Sequence, residues 1–105
     1  MFIWNKKIYM DDKVRKSPYK YRRIVERKKI VKTCYCITLP ANNNNLMDIY
    51  SSRELWFKYR RIMGLEIIGI AADWDSAALI VGRIVGDIYS SKGYISPEAL
   101  REFFE

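Results

Sequence analysis

Between residues 65 and 93 the chain switches from one hydrophobic period to another. Leu65-Glu66-Ile67-Ile68-Gly69-Ile70-Ala71-Ala72 is a short apolar run rich in β-branched residues, the pattern of a buried strand over 65–72. Beyond Asp73 the apolar positions recur with the helical period. At about 100° per residue, Trp74, Ala77, Ala78, Val81, Ile84, Val85 and Ile88 fall near one line, which predicts a core-facing helix over 74–91. Asp73 is placed to cap its start, and Lys92-Gly93 supplies a basic last turn and a C′ glycine. Leu79, Gly82 and Gly86 fall on the opposite side, with Ile80 at the flank.

The rest of the pattern is weaker. Phe2-Ile3-Trp4 and Lys7-Ile8-Tyr9-Met10 read as strand, with Asp11-Asp12 as a tight turn into a short return strand, so an edge hairpin is predicted over 1–16. Ser17-Pro18 opens a helix over 17–29 whose narrow apolar stripe is Tyr21, Ile24 and Val25. A strand follows over 30–39, with Cys34, Cys36 and Thr38 on one face and Tyr35, Ile37 and Leu39 on the other. Both faces can be buried, which suggests a central place in the sheet. Asn42 to Asn45 mark a loop, and a strand over 46–50 returns antiparallel to the previous one. Ser51-Ser52 caps a helix that runs on to Gly64, and Ser96-Pro97 opens a last short helix with Leu100, Phe103 and Phe104 on its apolar edge.

These elements predict an α+β fold in one domain over 1–105. A mostly antiparallel sheet of three to five strands packs against one long C-terminal helix and two or three shorter ones. The edge hairpin (1–16) and the basic helix (17–29) precede a core over 30–104, built around strand 65–72 and helix 74–91. Two pentapeptides recur at nearly equal offsets, 20–24 with 58–62 and 48–52 with 87–91, which raises the question of a duplicated unit.

Composition changes this picture in one respect. The chain has 105 residues and a formal charge of +7, but residues 1–32 carry net +9 and residues 33–105 net −2. Basicity therefore belongs to the N-terminal third, and scaffold and charged surface are different parts of the chain. No apolar run approaches the ~18 residues of a membrane span, and the N-terminus lacks the long apolar region of a signal peptide. A cytoplasmic location without membrane contact is expected.

The candidate chemistry is sparse. The chain has no histidine, which removes Ser-His and Cys-His nucleophilic pairs. Its five glycines match neither the Walker nor the dinucleotide pattern. The carboxylate pairs Asp11-Asp12 and Asp73 with Asp75 suit a turn and a helix start better than catalysis or Mg²⁺. Cys34 and Cys36 read as reduced core residues. No catalytic residue, metal or cofactor is assigned.

Two binding surfaces remain. Lys20, Arg22, Arg23, Arg27, Lys28 and Lys29 give a broad positive surface on which Tyr19 or Tyr21 could stack a base, although a solvated helix face would look the same. Leu79, Gly82 and Gly86 form the second. Glycine costs a helix about 1 kcal/mol against alanine, so two glycines one turn apart suggest close approach by a second copy or by another element of the same chain.

The segments Tyr35-Cys36-Ile37-Thr38-Leu39, Asn45-Leu46-Met47-Asp48-Ile49-Tyr50, Tyr59-Arg60-Arg61 and Ile68-Gly69-Ile70-Ala71, with the amphipathic helix after them, resemble a family of small bacterial proteins with no assigned activity. The resemblance covers about residues 33–104 and implies no site residues. Family members have a more polar helix than Ala77-Ala78-Leu79-Ile80-Val81-Gly82, which favours a buried or interfacial role for Leu79. The sequence as a whole points to a non-catalytic interaction or accessory protein whose partner is another protein or a second copy of itself. The alternative is nucleic-acid binding through the basic N-terminal helix.

Overall fold

Four strands and five helices make up the computed structural model, which describes residues 2–26, 33–40, 46–57 and 65–105. The strands β1 (Phe2–Met10), β2 (Tyr35–Thr38), β3 (Asp48–Ser51) and β4 (Leu65–Ala71) form one mixed sheet in the order β1-β4-β2-β3. The β2–β3 and β2–β4 pairings are antiparallel, and the β1–β4 pairing is parallel. The α+β class, the central β2 and β4, and the antiparallel return of β3 follow the sequence pattern. The sheet is not antiparallel throughout.

The predicted N-terminal hairpin is absent. β1 is an edge strand, as expected, but the residues after it form the helix α1 (Asp12–Lys16) rather than a return strand. Asp11 is the reason. Its Oδ1 accepts from the Val14 N–H at 2.7 Å and caps α1, while its Oδ2 accepts from the Ala72 N–H at 2.8 Å. One carboxylate thus starts α1 and ties it to the end of β4. Asp12 in the first turn and Arg15 and Lys16 in the last suit the helix dipole.

Helices cover both faces. Val14 of α1, Tyr21, Ile24 and Val25 of α2 (Pro18–Glu26), and Leu55 of α3 (Ser52–Phe57) pack on one face with Cys34, Cys36, Leu65, Ile67 and Ile70. Ile80, Ile84 and Ile88 of α4 (Trp74–Lys92) and Leu100 of α5 (Pro97–Phe103) pack on the other with Ile37, Ile68 and Ala71. The start of α3 is a capping box. Ser51 Oγ accepts from the Glu54 N–H, and Glu54 Oε1 accepts from the Ser51 N–H, both at 3.1 Å. Asp73, Gly93 (φ 79°) and Ser96 cap α4 and α5 as predicted.

Two irregularities place the sites. In β4, Ile67 faces Thr38 and Gly69 faces Ile37, so Ile68 is an extra residue and β4 bulges there. The bulge turns Gly69 as well as Ile68 toward α4, where a Cβ would lie 3.2 Å from Ile80 Cγ2 and 3.3 Å from Ile37 Cβ. In β1, pairing to β4 jumps from Trp4 to Tyr9. Asn5 holds that bulge: its Nδ2 donates to the Phe104 carbonyl at 2.7 Å, and its Oδ1 accepts from the Lys7 N–H at 2.8 Å.

The two copies of the second repeated pentapeptide do not share a structure. Asp48 to Ser51 form β3, whereas Asp87 to Ser91 lie inside α4; residues 58–62 lie outside the described residues, as does Asn42 to Asn45. Among the described residues no helix is long and apolar enough to cross a membrane.

Candidate functional site

α4 sits on the sheet rotated by about 60° from the line its sequence suggests. Its fully buried residues are Ala77, Ile80, Ile84 and Ile88. Val81 and Val85 are half-buried, and Trp74 and Ala78 face solvent. The rotation has a physical cause. It keeps Ile84 and Ile88 in the core and brings in Ile80, worth about 1.5–3 kcal/mol, where the sequence line would bury Trp74 and Ala78, and Gly69 leaves room for Ile80 against β4.

The consequence is an apolar outer face. Leu79 is 71% exposed, Tyr89 60% and Trp74 53%, and Tyr94 just beyond the cap is 51% exposed. Gly82 and Gly86 lie among them, and a Cβ at either position would meet nothing within 4 Å. No described element of the same chain therefore requires those glycines. Leu79, Gly82 and Gly86 share one exposed side, where the sequence placed them. Tyr89 joins them, whereas Trp74, expected in the core, is half exposed on the other flank of α4 and packs edge-on against Tyr35 with 5.9 Å between ring centres.

The basic surface is rearranged. Lys20 and Arg23 are exposed on α2, and Tyr19 is 72% exposed while Tyr21 is buried, so of the two only Tyr19 could stack on a base. Arg22 turns inward: its guanidinium carbon lies 4.7 Å from the Trp4 ring centre, and its Nε is buried without a hydrogen-bond partner. Arg27, Lys28 and Lys29 lie outside the described residues. α1 adds Lys13, Arg15 and Lys16, all exposed, which the hairpin expectation had hidden.

Among the described residues no three Cys, Asp or Glu side chains gather as metal ligands would. Cys34 and Cys36 are fully buried and unbridged, and the Cys36 thiol is pushed well up by hydrogen bonding to Cys34 together with burial. Such a thiol is a poor nucleophile at neutral pH. Asp73 is held low by the backbone and side-chain hydrogen bonds of Ser76. The Tyr9 phenol is raised by burial and by donating its hydroxyl proton to Asp87.

Comparison of the chain with protein-family models, curated proteins and solved structures finds no match. The functional reading therefore rests on the residues themselves.

Proposed function

We propose that this is a non-catalytic interaction protein that self-associates through the outer face of α4. One observation carries the reading: Leu79, Tyr89 and two open helical glycines lie exposed on one side of a 19-residue helix. The face is also self-complementary. Two antiparallel copies related by a two-fold axis level with residue 84 set Gly82 against Gly86 and Leu79 against Tyr89. Each pair then occurs twice, as an isologous interface requires. The glycines let the backbones approach, and the aromatic and leucine side chains fill the flanks.

One helix per protomer supplies less than the about 800 Å² per partner of a standard interface, so a micromolar dimer is expected. Sedimentation of the parent and of Leu79→Asp tests this. A parent dimer that becomes monomeric in the variant supports the reading; a parent that stays monomeric at high concentration overturns it. A cytoplasmic setting goes with it, supported by two buried cysteines left unbridged.

The second reading is nucleic-acid binding through the basic surface, favoured by the way α1 extends α2. Salt separates the two. Association of copies that each carry +7 strengthens as salt screens repulsion, whereas phosphate binding weakens as counterions compete. Mixed-sequence DNA or RNA that fails to bind even at low salt removes the second reading.

A further inference from the structure

We infer that the hollow between β1, α1, α4 and α5 is a binding site for a small organic phosphate carrying a planar ring. It has a volume of about 480 Å³ and is lined by Lys7, Tyr9, Met10, Arg15, Arg83 and Phe103, among others. That volume lies in the range of small-molecule sites and exceeds what a bare ion needs. Three cations converge on it, and among the described residues no carboxylate lines it.

The cations are presented by separate elements. The β1 bulge, fixed by Asn5, lifts Lys7 over α5, where its Nζ donates to the Phe103 carbonyl at 2.7 Å and sits 4.9 Å from the Phe103 ring centre. Arg83 reaches in from α4, its guanidinium carbon 5.7 Å from the Tyr9 ring centre. Arg15 comes from the last turn of α1. Three like charges brought to one hollow repel one another, and an anion among them relieves that repulsion. Asp87 on α4 accepts from the Tyr9 hydroxyl and keeps its negative charge at the rim, which leaves the cations in excess. Arg83 also borders a neighbouring hollow with Asp11 and Asp12, but Asp11 is committed to the Val14 and Ala72 N–H groups.

The remaining lining is aromatic and apolar. Tyr9 and Phe103 offer ring surface and Met10 an adaptable thioether. Guanidinium groups fork onto phosphate oxygens while the rings take a flat apolar group, so the hollow suits a phosphate ester of a planar ring more than inorganic phosphate. The sequence alone could not show this, because the six residues come from four elements spread over 7–103.

Titration of the whole chain with AMP, followed by amide and side-chain NMR shifts, tests the assignment. The expected shifts cluster at Lys7, Tyr9, Arg15, Arg83 and Phe103. Arg83→Gln and Arg15→Gln each weaken binding about tenfold with an otherwise unchanged spectrum. Arg53→Gln, a charge change on α3, leaves affinity as it was, and adenosine and inorganic phosphate each bind more weakly than AMP. The assignment is overturned if AMP moves no resonance, if its shifts survive Arg83→Gln, if Arg53→Gln weakens it equally, or if inorganic phosphate binds as tightly.

Discussion

Replacing Gly69 by alanine asks whether α4 sits on the sheet in the rotation that makes its outer face apolar. In an open strand the change stabilises by about 0.5–1 kcal/mol, because glycine loses more backbone freedom on folding. Here the new methyl would lie 2.9 Å from Ile37 Cδ1, 3.2 Å from Ile80 Cγ2 and 3.3 Å from Ile37 Cβ. The first contact is with a flexible end that can swing away. The other two involve atoms near the backbone of β2 and α4, and only a shift of strand or helix relieves them. Overpacking of this kind costs about 1–3 kcal/mol, so a net loss of about 1 kcal/mol is expected. Urea unfolding of parent and variant, read by circular dichroism, measures it. Ile37→Val removes only the Cδ1 contact, which is the cheap one, so a double-mutant cycle should show coupling below about 0.5 kcal/mol. A Gly69→Ala variant as stable as the parent, or more stable, would refute the placement of Ile80 against β4. The outer face would then have to be reassigned.

Asp11→Ala removes both the α1 cap and the acceptor for the Ala72 N–H; a loss of about 2–3 kcal/mol is expected by urea unfolding, more than a cap alone. Thr38 is fully buried and its Oγ1 has no hydrogen-bond partner, so Thr38→Val should stabilise by about 1 kcal/mol, seen as a raised urea midpoint. Asp73 is held below its ordinary range in the folded chain, so its contribution is fully present above that range and lost as pH falls through the folded value. Asp73→Asn keeps a capping oxygen without the charge, and thermal midpoints taken from neutral pH into the acid range should fall less steeply in that variant than in the parent.

The legible parts of this fold were those in which local chemistry and burial agree. The capping of α4 by Asp73 and Gly93, the start of α5 at Ser96-Pro97, and the two-faced burial of β2 were all readable, because each depends on residues within a few positions. α1 was not. With Val14 as its only buried residue, a five-residue helix has no period to detect, and its deciding contact reaches from Asp11 to Ala72. The parallel pairing of β1 with β4 was equally hidden, since strand order is settled by partners far along the chain. On α4 the apolar positions span more than half the circumference, so periodicity alone could not choose between the Ile80 side and the Trp74 side. Leu79, Gly82 and Gly86 fall outward under either choice, so their exposure does not depend on which side faces the core.

The central claim, an antiparallel pairing of two α4 helices, is tested most directly by disulfide trapping. The native cysteines Cys34 and Cys36 are buried, so cysteines introduced on α4 report on that face. With the two-fold axis at residue 84, position 82 of one copy meets position 86 of the other, whereas positions 82 and 82 stand further apart. An equimolar mixture of Gly82→Cys and Gly86→Cys chains should therefore form cross-linked dimers, on mild oxidation, faster than either variant by itself. Cross-linking of Gly82→Cys alone that matches or exceeds the mixture, or none in any sample, would contradict the account.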